Sequence, residues 1–157
     1  MKKIFIINIL ICLIFLTNCN QENKKQNQDK HKETILQETK IPSNVDEDFS
    51  LFLKTFSRDS IFQVSRVKFP LVIKEWGDPE TGMIEKTISK SEYTKLDFTY
   101  PEDAMTRKLD RYTQKINISE NKCVVEIRGF DNGIYTDFFF EKLNGKWNLI
   151  SWDEQST

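Results

Sequence analysis

The stretch Lys122–Trp152, KCVVEIRGFDNGIYTDFFFEKLNGKWNLISW, decides the fold. Apolar and polar residues alternate along much of it, the period of strands with one buried face. Two dipeptides interrupt the alternation, Asn132-Gly133 and Asn144-Gly145. Asn-Gly is the strongest short-range hairpin signal, because both residues tolerate the positive φ that a tight turn needs. Upstream, Arg111 to Ser119 has the same period, and Glu120-Asn121 separates it from Lys122. Four strands are therefore expected, Arg111 to Ser119, Lys122 to Phe130, Ile134 to Leu143 and Lys146 to Trp152, joined as an antiparallel meander.

Two-residue turns fix the register, and a shift of one residue moves every side chain to the opposite face. With all three turns taken as two-residue loops, Arg128 faces Asp137, Phe140 faces Leu149 and Phe138 faces Ser151. One face then collects Tyr112, Gln114, Ile116, Ile118, Cys123, Val125, Ile127, Ile134, Thr136, Phe138, Phe140, Trp147, Leu149 and Ser151. The other carries Glu126, Arg128, Phe130, Tyr135, Asp137, Phe139, Glu141, Ile150 and Trp152. Arg128 and Asp137 are expected to form a cross-strand ion pair.

The partner for the first face lies earlier in the chain. Phe49, Phe52, Leu53 and Phe56 recur at i, i+3, i+4 and i+7, an apolar helical stripe. Asn44 and Glu47 read as a loose capping box, with Asp46 to Asp48 in the first helical turn, where the dipole favours negative charge. Ser60-Ile61-Phe62-Gln63 suggests a second short helix to about Val67. Phe69 to Ile73 reads as a strand that is an edge or begins at Pro70, which lacks a backbone N–H. Met83 to Ser89 alternates as a strand. Ser89-Lys90-Ser91-Glu92 again reads as a capping box, opening a short helix to about Leu96. Phe98 to Lys108 is ambiguous, with Pro101 as a candidate first helical residue.

Helices first and a bent meander last is an order that resembles the nuclear transport factor two-like fold, a cone of helices packed on a curved antiparallel sheet. The expected class is α+β. Phe49–Asp59 (FSLFLKTFSRD) and Phe62–Leu71 (FQVSRVKFPL), with Trp76 and the closing Trp147-Asn148-Leu149-Ile150, resemble a lipoprotein family of Bacteroides and its relatives, domain-of-unknown-function family 4348. The resemblance spans about Asp46 to Trp152. It implies such a domain on an envelope lipoprotein, and it brings no catalytic residues with it. The fold itself serves enzymes, ligand carriers and dimerisation modules.

The start of the chain sets the expected location. Met1-Lys2-Lys3 is followed by a nearly unbroken apolar run, Ile4 to Leu16, and then by Leu16-Thr17-Asn18-Cys19. This is the order of a signal peptide, and the run falls short of the ~20 residues that span a bilayer. It resembles a lipoprotein signal over residues 1–18, with Cys19 as the lipidated residue and a bacterial envelope membrane as the destination. Residues 19–44 are rich in Gln, Asn, Lys and Glu, and read as a disordered polar tether. Five Lys against four acids make it a poor polybasic lipid-binding arm. Residues 45–154 form one domain. Sixteen Lys and Arg against twenty Asp and Glu give it a net charge of −4, which argues against a nucleic-acid partner.

Candidate chemistry is sparse. The single His, His31, lies in the tether. Zinc needs several His or Cys ligands at close spacing, and a Ca²⁺ loop needs alternating acids; neither pattern occurs, so no metal and no cofactor are expected. Cys123 sits in a strand-like run and reads as a small buried residue. The inner face offers Tyr112, Gln114, Thr136 and Ser151 as polar lining for a small ligand, without a carboxylate or His for acid–base work. Glu75, Glu85 and Asp97 are the acids whose entry into the cone stays open. The outer face offers Phe130, Tyr135, Phe139, Ile150 and Trp152 as an apolar surface for a second copy or another envelope protein. Asp59-Ser60-Ile61 resembles a bacterial O-glycosylation sequon, and Ser60 fits equally as a helix cap. The reading that results is a membrane-anchored, non-catalytic binding module, with a small hydrolase- or isomerase-type enzyme as the alternative.

Overall fold

The structure is a computed structural model and describes residues 40–155. The expected signal, the Cys19 anchor and nearly all of the tether lie outside the described residues. Two helices, α1 (Phe49–Arg58) and α2 (Ser60–Ser65), precede six strands: β1 (Val67–Trp76), β2 (Met83–Ile88), β3 (Tyr112–Ser119), β4 (Lys122–Gly129), β5 (Tyr135–Leu143) and β6 (Lys146–Glu154). They form one curved sheet in the order β2-β1-β6-β5-β4-β3. The class is α+β, with the C-terminal four-strand meander in place. Every pairing is antiparallel except β1 with β6, which is parallel.

The α1 stripe packs on the inner sheet face. Phe49, Phe52, Leu53 and Phe56 are buried with Cys123, Val125, Phe140, Trp147 and Leu149. Phe140 is the hub, with ring centroids 5.3, 5.8 and 5.6 Å from Phe49, Phe52 and Phe56. Near-perpendicular rings bring positive edges to negative faces and add to plain burial.

Several local expectations give way. Asp48, not Asn44, caps α1, accepting from Ser50 N (2.7 Å) and Leu51 N (3.2 Å). Asn44 closes a separate turn by accepting from Glu47 N. Asp46 is thereby released from the helix and pairs with Arg66 through two hydrogen bonds, 2.9 and 2.8 Å. Pro70 stands inside the sheet, not on an edge, because β1 bulges against β6 between Val67 and Val72 and needs no N–H there. Only one half of the capping box at Ser89 forms: Glu92 accepts from Ser89 N and Oγ, but Glu92 N donates to Ser89 O instead of Oγ, and only turns follow. Leu96 N donates to the buried Gln63 Oε1 (2.8 Å), and Leu96 O accepts from Gln63 Nε2 (2.8 Å). Those bonds replace the helical ones.

Two turns match the expected two-residue loops, at Glu120-Asn121 and Asn144-Gly145. The Asn132-Gly133 turn is longer. Asn132 Nδ2 donates to Arg111 O (2.8 Å), and Gly129 N donates to Ile134 O (2.7 Å). Arg128 therefore faces Tyr135, and Glu126 faces Asp137, a shift of two residues that preserves the faces. Gly129 is required here, since a Cβ would lie 1.7 Å from Asn132 Oδ1.

A β-bulge has the larger consequence. Phe140 pairs with Leu149, but Phe139 pairs with Ser151 and Phe138 with Trp152, leaving Ile150 as the extra residue. Ser151 thus moves to the outer face and Trp152 to the inner face, the reverse of the two-residue-turn expectation. Trp152 packs on Phe138, with centroids 5.8 Å apart, at the margin of the core.

Candidate functional site

The inner face continues past α1 and meets the irregular segment between β2 and β3. Phe98 anchors this segment. Its N–H donates to Ser57 Oγ (3.0 Å), its carbonyl accepts from Gln114 Nε2 (3.1 Å), and its ring stands edge-on to Phe138 at 4.8 Å. Two residues earlier, Gln63 holds Leu96, and its Oε1 also accepts from Tyr93 Oη (2.9 Å). Gln63 is fully buried and both ends of its amide are satisfied. Its role was hidden in the sequence. The only signal was a Gln next to the apolar residues of a short helix.

Between this strap and the sheet lies a cavity of about 210 Å³. Leu96, Phe98, Ile127 and Phe138 give it apolar walls. Tyr112, Gln114 and Thr136 supply polar groups from neighbouring strands, and Asp97 enters from the strap. Ser151, the fourth expected lining residue, is on the other face of the sheet. Among the described residues, Gln114 Oε1 and Thr136 Oγ1 have no protein partner.

Electrostatics divide the polar groups into donors and acceptors. Partial burial raises the Tyr112 phenol above its ordinary value, so it stays protonated at neutral pH. Tyr100 Oη donates to Tyr112 O (3.1 Å), and the Arg107 guanidinium lies 5.0 Å from the Tyr112 ring centre. Hydrogen bonds from Thr99 hold the Asp97 carboxyl below the usual carboxylate range, helped by the charge of Lys95. Asp97 is therefore a fixed negative charge at neutral pH and a weak base. Of the three acids left open by the sequence, it alone lines this cavity.

The outer face is more charged than expected. Lys115, Glu126, Asp137, Asp153, Lys74 and Glu85 stand directly opposite one another across all six strands. Arg128 relieves the acidic middle of this row, 2.6 Å from Asp137 Oδ1 and 3.9 Å from Glu126 Oε2. The expected ion pair thus forms on a diagonal instead of straight across. Phe130 and Tyr135 are 48% and 40% exposed, but Arg111 and Arg128 lie over their rings at 4.3 and 3.6 Å. Phe139 and Ile150 are half-buried, and Trp152 has left this surface.

The remaining candidates are quickly placed. Ser60 is exposed as the first residue of α2, whose cap is Asp59, accepting from Phe62 N (2.8 Å). Cys123 lies in the core, and burial pushes its thiol up to about 12. Among the described residues, no His, Cys, Asp and Glu grouping could hold a metal ion, and no helix is long and apolar enough to cross a membrane.

Comparison with known proteins agrees with the family likeness read from the Phe-rich block. The family model described as domain of unknown function DUF4348 matches residues 6–154, and the chain belongs to this family. An NTF2-like protein from Bacteroides fragilis shares 21% identity at a TM-score of 0.49, over 70% of this chain and 47% of its own. The chain therefore spans about half the length of that relative. A cystatin-like protein from Bacteroides caccae shares 28% identity at a TM-score of 0.46, over 68% and 74% of the two chains. A protein from Bacteroides uniformis shares 25% at 0.49, over 67% and 74%. No curated protein matches the chain.

Proposed function

We propose that this member of the DUF4348 family is an envelope-anchored, non-catalytic binding module whose cavity takes a small amphipathic molecule. The observation that carries the reading is the unspent polar capacity of Gln114 Oε1 and Thr136 Oγ1 within a mostly apolar cavity. A few oriented polar groups in an apolar hollow are the usual anatomy of a ligand site. At about 210 Å³ the cavity is smaller than the ~300–1,000 Å³ of sites for drug-sized molecules, so the ligand is small. Asp97 supports binding over catalysis, since a carboxylate held below its ordinary range neither gives nor takes a proton readily near neutrality. Anchoring rests on the signal-like start and on Cys19, whose lipid would hold the module at the membrane.

Native mass spectrometry of the full chain, extracted from its own envelopes, tests the binding. A bound small molecule is expected, and Ile127→Phe, which fills the cavity with an apolar ring, is expected to lose it while keeping near-UV circular dichroism. An empty chain, or a ligand retained equally by Ile127→Phe, would sink the cavity reading. Fractionation tests the anchor: Cys19→Ala should move the protein from the membrane to the soluble fraction.

A further inference from the structure

The sheet ends at β3, and the direction of its backbone groups can be worked out. Tyr112 N donates away from the sheet to Ala104 O (3.1 Å), and Tyr112 O accepts from Tyr100 Oη. Backbone groups alternate along an antiparallel strand, so those of Gln114, Ile116 and Ile118 also point away from β4. Among the described residues none of the six has a partner. The side chains of the same stretch add apolar area, with Ile116 and Ile118 37% and 55% exposed on the inner face. An open edge with exposed β-branched residues is a template for another strand. The opposite edge, β2, instead has Glu85 and Lys86 at its middle.

We infer that β3 pairs with β3 of a second copy, antiparallel and centred on Ile116, to join the two sheets edge to edge. Charge selects this register. Centring on Lys115 would set two ammonium groups directly opposite, which is unfavourable. Centring on Gln114 would need the Tyr112 groups that Ala104 and Tyr100 already hold. Centring on Ile116 sets Ile116 against its own copy and Gln114 against Ile118, with about six backbone hydrogen bonds across the dyad. Lys115 then lies opposite Asn117 of the other copy, and the two Lys115 side chains are diagonal instead of directly opposite. This goes beyond the cavity reading and does not depend on it.

Sedimentation of the full chain in density-matched detergent provides the test, with a protein mass of two chains expected. Ile116→Pro removes one outward N–H that no bond within the chain uses, so it spares the ladder to β4. It should weaken the dimer at least about tenfold. Asn117→Lys leaves the backbone alone but sets Lys115 against a second ammonium group on the other copy, and should also weaken it. Lys115→Asn added to Asn117→Lys restores an Asn–Lys pair and should recover the dimer. A chain that stays monomeric at all concentrations overturns the inference. So does a dimer indifferent to Ile116→Pro, or a double variant no tighter than Asn117→Lys alone.

Discussion

At the residue scale, Asp46 shows how one side chain can do a job that its neighbourhood in the sequence does not suggest. It lies in an acidic run before a helix, yet it bonds Arg66 through both oxygens and accepts from Trp147 N (2.9 Å). Burial alone would raise its pKa. The Arg66 hydrogen bonds, the Trp147 amide and the charges of Arg66 and Lys142 outweigh that and hold it below the ordinary carboxylate value. Its folded pKa is the lower one, so its contribution is full above the unfolded value of ~3.9 and is lost as pH falls through the folded value. Asp46→Asn should cost about 2–4 kcal/mol at pH 7, because Arg66 is left mostly buried without its partner. Urea denaturation at pH 7 and pH 3 checks both points: the gap between wild type and variant should shrink at the lower pH. Gln63 makes the same case for a neutral side chain, since it ties α2 to a segment more than thirty residues away.

At the element scale, the decisive feature is the bulge in β6. Asn-Gly turns set strand parity only as far as the ladder stays regular. Ile150 breaks it, and everything beyond changes face. Deleting Ile150 removes the extra residue, so a regular ladder should keep Ser151 opposite Phe139 on the outer face and Trp152 opposite Phe138 on the inner face. The expected result is unchanged tryptophan emission and unchanged acrylamide quenching, because the Trp152 ring stays on Phe138 at the core margin. Red-shifted emission would show that Ile150 is not the extra residue and that the strand slips to another register when it is removed. The segment from Ser89 to Leu96 teaches a related lesson. Only the Glu92 half of its capping box is present, and a cap that contributes ~1 kcal/mol cannot hold a helix against several bonds to the buried Gln63.

At the scale of the molecule, the sheet closes through its most distant partners. β1 lies beside β6, so Ile73 pairs with Trp152 only after almost the whole domain has been made. Non-local pairing of this kind delays folding, because loop closure must precede any reward. Refolding is expected to take milliseconds to seconds. The chevron should place the β4–β5–β6 meander ahead of β1: substitutions at Val125 or Phe140 should slow folding, whereas Val72→Ala should mainly speed unfolding. Equal effects on both limbs would point to a different order. The same topology leaves β3 as the meander's open edge, where a second copy is expected to add.

The sequence by itself determined the α+β class, the helix stripe, the meander, two of its three turns and the family, because each rests on local periodicity or on turn residues with few alternatives. It also singled out Tyr112, Gln114 and Thr136, whose parity survives the longer Asn132-Gly133 turn. Tertiary structure alone decided the rest: the place of β1 inside the sheet, the entry of Asp97 into the cavity, and the exchange of Ser151 and Trp152 between faces. These follow from contacts between segments far apart in the chain. A bulge, a buried amide or an ion pair forms only when both sides are already in place, and no local pattern encodes its partner.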